Sequence, residues 1–380
     1  MSDYFLTGAT GSLGLSFVRI LLESSPEARV YCLVRNPERS PLASEALGRL
    51  FPDERARLDA QSRIQLVKGD VTEPGLGIEQ PVWDHLVGRI GRVVHMAASV
   101  DFLSSLDEAR ALNVTGTRNV IDFARACLKR DAPDFRVCHV STAYVCGKGR
   151  GLLREDALDP NAEFWNHYER TKAESEKLLR DSVSELPITI VRPSQIIGDA
   201  QSGEVHKYFG FYEFVGLAVR GRSNVLVADR EARPDMIPVD YVARGMLHLM
   251  QRPDAVGRTY HLAAGLQASL PVASVVDLVL ELMSDMPELK ARVGLPRVLR
   301  ADELDAQLSP AERKAFEFSP QKLLLRSYAP YLDYERDFDV AATQSLLAAA
   351  GVALPDMAET IRRTTRYALA QRHRQALPAG

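Results

Sequence analysis

The chain is poor in cysteine, in aromatic residues and in long apolar runs, and it carries no large excess of charge of either sign. Its four cysteines, Cys32, Cys127, Cys138 and Cys146, form no Cys-x-x-Cys pair, and three of them lie in apolar or strand-like runs. That usage argues against a disulfide or zinc framework and for buried thiols in a reducing compartment. No apolar stretch reaches the ~18 residues that span a bilayer. A transmembrane helix is therefore not expected, although peripheral membrane contact stays open. No secretory leader is visible, because a strand pattern starts at Tyr4, and the expected location is cytoplasmic. The net charge of -3 gives no bulk attraction to nucleic acid. Internal repeats and low-complexity linkers are absent. At 380 residues, 46% hydrophobic and 26% charged, the chain can build one large domain with an appendage.

What is present begins with Tyr4-Phe5-Leu6, an apolar run followed by Thr7-Gly8-Ala9-Thr10-Gly11-Ser12-Leu13-Gly14. Leu15, Val18, Leu21 and Leu22 then recur at helical spacing. This is a strand, a glycine turn and a helix. Glycines there let the backbone turn tightly and approach a pyrophosphate seated on the helix N-terminus. The spacing G-x-x-G-x-x-G departs from the commoner G-x-G-x-x-G fingerprint. A second strand, Arg29 to Val34, ends in Arg35, with no acid before Glu38. An Arg at that place suits a ribose 2′-phosphate, where an acid would hold a free hydroxyl. The expectation is NADP(H), against the alternative of a solvent-facing strand-end Arg.

Residues 38 to 62 read as helical and charged, with Leu47, Leu50 and Leu58 as the apolar side. The strand Ile64 to Val67 runs into Asp70-Val71, where Asp70 either accepts from an adenine amino group or caps the next turn. The strand Arg92 to His95 continues into Met96-Ala97-Ala98, small residues that let a cofactor approach the backbone. His95 has no second His at metal spacing, so it is read as a packed, satisfied side chain and no metal site is expected. A helix over residues 108 to 129 carries Asn113 as the polar member of an apolar stripe. The strand Arg136 to Val140 ends in Ser141-Thr142, and hydroxyls at the carboxyl end of a parallel strand face the ligand crevice. After a polar loop, Tyr168 and Lys172 sit four apart in a helix-favouring segment and so share a face. A nearby ammonium is expected to lower the phenol's pKa and fit it for general acid–base work. The strand Ile188 to Val191, ending in Arg192-Pro193-Ser194-Gln195, completes an alternation that calls for a parallel sheet covered on both sides.

Taken in order, Thr7 to Gly14, Asp70-Val71, His95 to Ala98, Asn113, Ser141-Thr142, Tyr168-x-x-x-Lys172 and Arg192-Pro193 resemble the extended short-chain dehydrogenase/reductase superfamily. The resemblance implies an α/β Rossmann-type doubly wound sheet. Its catalytic group would be Thr142, Tyr168 and Lys172, supported by Asn113, with Ser141 the less favoured hydroxyl. Implied NADP(H) contacts are Thr7, Gly8, Thr10, Gly11, Ser12, Leu13, Gly14, Arg35, Asp70, Val71, Ala97, Ala98, Tyr168, Lys172, Pro193 and Ser194. The strings around His95 to Phe102, Asn113 to Val120 and His139 to Val145 are similar to the fatty acyl-CoA reductase and thioester reductase branch. So, over a shorter match, is Tyr328-Ala329-Pro330-Tyr331-Leu332 followed by Phe338-Asp339. That branch implies reduction of an acyl-CoA or acyl carrier protein thioester to the aldehyde, or on to the alcohol. The alternative is a dehydrogenase or epimerase acting on a steroid or a sugar nucleotide. Such epimerases usually carry an Asn where this chain has Pro193-Ser194-Gln195. A non-catalytic NADP-binding sensor would be expected to lose Tyr168 or Lys172, and both are here.

Beyond Gly198 the alternation stops. Tyr208, Phe209, Phe211, Tyr212 and Phe214 cluster in a chain that is only 7% aromatic. They are read either as the wall of an apolar acyl channel or as a helix packed into the core. Asp240 is read as an N-cap before Tyr241, and Arg233 as a phosphate contact or an ion-pair partner of Asp235. Tyr260 to Leu262 looks like a last strand. The expected division is 1–265, a cofactor-binding domain with a substrate-side insertion around 199–235, and 266–380, a helical cap. The last helix carries Arg362, Arg363, Arg366, Arg372 and Arg374, either as a solvated face or as a dock for CoA phosphates or an acidic carrier protein. Oligomeric state is not legible.

Overall fold

The computed structural model describes residues 3–43, 45–128, 134–219, 225–290, 297–332 and 336–376. Seven strands form the central sheet: β1 (Asp3–Thr7), β2 (Val30–Val34), β3 (Ile64–Lys68), β4 (Ile90–His95), β5 (Arg136–Val140), β6 (Ile188–Pro193) and β7 (Thr259–Leu262). Their spatial order is β7-β6-β5-β4-β1-β2-β3, and every pairing is parallel. The chain leaves β1 in one direction through β2 and β3 and returns on the other side of β1 with β4. The crevice between the carboxyl ends of β1 and β4 is thus the point where the winding reverses, and ligands of such sheets bind there.

These strands are mostly apolar because both faces of the sheet are covered. Successive side chains alternate between two cores. Tyr4, Leu6, Val94, Cys138 and Val191 face one core, and Phe5, Val93, Val137, Ile188 and Ile190 face the other. The first is filled from the helices Ser12–Ser24 and Val239–Gln251, through Val18, Leu21, Val242 and Met246. The second is filled from the helix Gly116–Cys127, through Val120, Phe123 and Ala124. All four cysteines are free thiols, and burial alone pushes Cys32 and Cys138 up to about 12.

Several expected elements differ in detail. The helical residues between 38 and 62 fall into two helices. Pro52 divides them into Glu45–Leu50 and Glu54–Arg63, preceded by a 3-10 turn at Pro41–Ala43. A proline removes an intrahelical donor, and Asp53 restarts the helix by accepting from the Ala56 amide at 2.9 Å. The helix bearing Asn113 starts at Leu106, behind a Ser105–Glu108 capping box, and widens to a π-turn over Ala111–Thr115. It ends at Cys127 within the described residues. Asp240 does not cap the helix Val239–Gln251. It lies inside the first turn, and its carboxylate accepts from the Ala200 amide at 2.8 Å. Arg233 donates to the Ser269 carbonyl at 2.8 Å and not to Asp235, which is committed to other donors.

Beyond β7 lie the helices Val272–Ser284, Pro310–Glu317, Pro320–Leu332, Ala341–Ala349 and Met357–Ala376. Two short parallel pairings stitch this part to the rest, Val225–Val227 with Arg297–Leu299 and Leu152–Leu153 with Asp337–Phe338, and a third, Gln195–Ile197 with Met236–Pro238, lies before β7. The last helix packs on Phe211–Val219 and Val272–Ser284, and its Ile361 and Leu369 enter the same core as Leu21. Arg362 pairs with Glu281 at 2.8 Å, and Arg363 donates to the carbonyls of Ala200 and Gln201. The side chains of Arg372 and Arg374 lie outside the described residues. No helix among the described residues is long and apolar enough to cross a membrane.

Candidate active site

The turn after β1 is shaped by close approach. Gly8 sits at φ 75°, and a Cβ there would lie 2.6 Å from the Ala97 amide. A Cβ at Gly14 would overlap the Gly8 carbonyl and Ala9. Glycine is therefore required at both places. Gly11 precedes the helix Ser12–Ser24 without a side-chain cap. The first intrahelical bond runs from the Leu15 amide to the Gly11 carbonyl at 2.9 Å. The amides of Ser12, Leu13 and Gly14 have no acceptor within the helix. Those three residues line a cavity of about 340 Å³, so the cradle fits the pyrophosphate of a dinucleotide.

The opposite wall of that cavity carries Thr142, Tyr168 and Lys172, with Ala98, Pro193 and Ser194 also lining it. Tyr168 stands in the first turn of the helix His167–Asp181, which Asn166 caps by accepting from the Glu169 amide at 2.9 Å. Its ring is half-buried and lies 5.7 Å from that of Phe102. Burial pushes the phenol up to about 12, and a hydrogen bond with Thr142 opposes the rise. Lys172, one turn on, does not lower the phenol as the spacing suggests. Its ammonium is 2% exposed, donates to the Val140 carbonyl at 2.7 Å and lies 3.3 Å from His139 Nε2. A buried ammonium takes the nearest acceptor, here the open end of β5. Burial brings its pKa down to about 7, with Glu176 opposing.

The two neighbouring hydroxyls at the end of β5 are used differently. Ser141 Oγ donates to Glu176 at 2.7 Å. Thr142 Oγ1 accepts from the Tyr144 amide at 3.3 Å and lies 3.5 Å from the Pro193 carbonyl. Ser194 donates to Asp235 at 2.5 Å.

Other expected site residues stand outside the cavity lining. Thr7 Oγ1 is spent on His95 Nδ1 at 2.7 Å and on the Ala97 amide, so it holds β1 to β4. His95 is buried and satisfied, its Nε2 lying 3.0 Å from Thr117, and burial takes it down to about 3. Asp70 accepts from the Thr72 amide and hydroxyl, both at 2.9 Å, the capping option for that residue. Val71 is buried, Arg35 is exposed beyond β2, Thr10 lies within the turn and Ala97 backs onto Gly8. Asn113 makes no hydrogen bond to Tyr168 or Lys172. It binds the backbone of Ser99 through both side-chain atoms and donates to Thr171 Oγ1 at 2.9 Å. It therefore fixes the helix of Tyr168 to the segment after β4. Among the described residues no cluster of His, Cys, Asp or Glu is arranged to hold a metal ion.

An aromatic enclosure that motif reading missed completes the site. Tyr331 stacks on Phe102 at 5.8 Å and meets Tyr144 edge-on at 4.8 Å, and Tyr328 meets Phe102 at 5.5 Å. Arg336 lies over the rings of Tyr144 and Tyr331, 5.2 Å from each. Tyr331 donates to the buried Glu169 at 2.7 Å. In the sequence its rings stand in three separate strings, ending at Phe102, around Tyr144 and over Tyr328 to Leu332, and none of these names a partner.

Residues 6–246 match the family model described as male sterility protein. A fatty acyl-CoA reductase of Drosophila melanogaster is 26% identical over 64% of this chain and 53% of its own length. The L-2-aminoadipate reductase large subunit of Penicillium chrysogenum is 30% identical over 67% of this chain and 19% of its own. The chain thus spans about half, or less, of the curated relatives it matches. Among solved structures, the terminal R domain of the myxalamid PKS-NRPS pathway superposes with a TM-score of 0.79 at 27% identity, covering 100% of this chain and 92% of that one.

Proposed function

The chain belongs to the male sterility protein family, within the extended short-chain dehydrogenases/reductases, and from that premise we propose that it reduces an acyl thioester to the aldehyde with NADPH. The observation that carries this reading is the cavity that Thr142, Tyr168 and Lys172 share with the glycine turn. Gly8 to Gly14, Ala98, Pro193 and Ser194 would hold the dinucleotide, with Arg35 at the ribose phosphate. Bound there, the nicotinamide supplies the hydride. CoA and an acyl carrier protein are both candidate thiol carriers. We assign residues 1–265 to cofactor binding, and 266–380 with the segment 199–235 to the substrate side.

The protein's own residues handle charge and protons. The hydroxyls of Thr142 and Tyr168 donate to the thioester oxygen as negative charge builds on it. With a pKa pushed up to about 12, Tyr168 is protonated at neutral pH and delivers its proton to that oxygen. Lys172 lines the same cavity one turn on, its Nζ held on the Val140 carbonyl at 2.7 Å. Asn113 keeps the helix of both residues in register through Thr171. The hemithioacetal so formed expels the thiol and leaves an aldehyde. A second round on the aldehyde yields the alcohol.

Consumption of reduced nicotinamide, followed with a panel of acyl-CoAs and with NADH in parallel, tests the reading. Tyr168→Phe is expected to lower kcat/KM by about 10²–10⁴ while NADPH binding is retained. Undiminished turnover by that variant sinks the proposal. A preference for NADH overturns the role given to Arg35.

A further inference from the structure

Behind the catalytic cavity lies a second one of about 100 Å³, and the two share Gln195, Tyr328 and Tyr331. Past those three residues the walls are Phe211 and Phe214 on one side and Val276, Val279 and Leu280 on the other. Apart from Gln195 and the two tyrosines, every lining side chain is apolar. Both tyrosine hydroxyls have already committed their proton to a carboxylate. Tyr328 donates to Glu213 at 2.9 Å and accepts from the Gly210 amide at 3.2 Å. Tyr331 donates to Glu169 at 2.7 Å and accepts from Asn166 at 2.9 Å. These bonds pin both rings, so the neck is rigid and offers ring faces to whatever passes. A cavity with so few free polar groups does not hold ordered water well and takes apolar occupants. The titratable side chains Lys172, Glu204, His206 and Lys207 line the larger cavity and not the second.

We infer that the second cavity seats the end of the substrate's acyl chain. The chain enters between Tyr328, Tyr331 and Gln195, while the thiol carrier stays on the side of Lys207. This inference rests on the thioester reading above and adds to it an orientation and a length limit. The helix Val272–Ser284 closes the far end, so binding gains from added methylenes only until that wall is met.

The test is the dependence of kcat/KM on acyl-CoA chain length, paired with calorimetric binding of non-reducible thioether analogues of the same lengths. For the natural chain, each methylene seated is expected to raise kcat/KM about fourfold until a plateau. Val276→Phe fills the far end and is expected to lower the long-to-short ratio about tenfold or more, a loss of roughly two methylenes. Should that variant fail to melt cooperatively or to bind NADPH, Leu280→Ala enlarges the same wall and is expected to move the plateau to longer chains. Turnover with a flat length profile, or a profile unmoved by the folded variant, overturns the chamber and leaves the reductase reading intact. Length-dependent analogue binding that the variant shortens, without turnover of any thioester, upholds the chamber and overturns the reductase reading. Neither turnover nor length-dependent binding overturns both.

Discussion

The N-terminal and C-terminal halves of the helix His167–Asp181 carry two glutamates, Glu169 and Glu176, each 0% exposed, whose ionisation is pushed in opposite directions. At Glu176 burial would raise the pKa, but Arg192 at 2.6 Å, the Ser141 hydroxyl and Arg180 together hold it below the usual carboxylate range. At Glu169 burial wins. Tyr331, the Trp165 amide and Arg336 at 3.9 Å do not offset it, and the pKa is raised. The residue type, helix and degree of burial are the same. The sign is decided by whether a guanidinium is in direct contact. Arg192 belongs to β6, whose place beside β5 sets that contact. Arg336 reaches the other half from the far side of the chain and divides its contacts among two rings and the carbonyls of Pro330 and Gly147.

The strongest way to break this comparison is to remove the cations. Arg192→Met leaves a buried carboxylate without its main partner and is expected to cost about 3–5 kcal/mol in urea unfolding. Arg336→Met removes a longer ion pair and the contacts with two rings, and is expected to cost about 1–2 kcal/mol. Equal losses would show that contact distance is not what separates the two halves.

Lys172, midway along the same helix, sharpens the comparison through pH. Its folded pKa is about 7, well below the ordinary lysine range. Below pH about 7 both folded and unfolded chains carry the ammonium. Above it the folded chain has shed a proton that the unfolded chain keeps, so stability climbs with pH through that window. Lys172→Met is expected to flatten the climb, and a climb unchanged in the variant would place its origin elsewhere.

The smallest effect is expected at Glu169. Between the ordinary carboxylate range and its raised value, the folded chain holds a proton that the unfolded chain has lost, so stability falls as pH rises there. Glu169→Gln removes that slope at a change of about 1 kcal/mol or less near neutrality. Glu176 acts in reverse. Its contribution is present above the ordinary range and is lost as pH falls toward its depressed value, so Glu176→Gln should remove an acid-side slope. Matching slopes in the two variants would contradict the opposite shifts.

Local patterns announced much of this molecule. The strand, glycine turn and helix at residues 3 to 24 follow from apolar run, small residues and helical spacing in immediate succession. Thr142 and Tyr168 stand at a strand end and a helix start that their neighbours declare, Lys172 follows Tyr168 at helical spacing, and the structure brings all three onto one cavity with the glycine turn. Less was legible where one chain position serves two uses. Thr7 and Asp70 have the residue types of ligand contacts, yet Thr7 locks β1 to β4 and Asp70 closes a turn. Asn113 was legible as a polar residue on an apolar stripe, but its partner Thr171 lies 58 positions away and the π-turn that holds it has no sequence signature.

The sequence by itself determined the alternating α/β order, the glycine positions that a close-packed turn demands and the helical spacing of Tyr168 and Lys172. Each of these is set by backbone sterics or periodicity within a few residues. Only the tertiary structure decided which acceptor Lys172 takes, which carboxylate receives a full cation, and where Tyr328 and Tyr331 narrow one cavity into the next. Those outcomes depend on burial and on contacts such as Tyr331 to Glu169, 162 positions apart, where desolvation and distance rather than residue type set the energy.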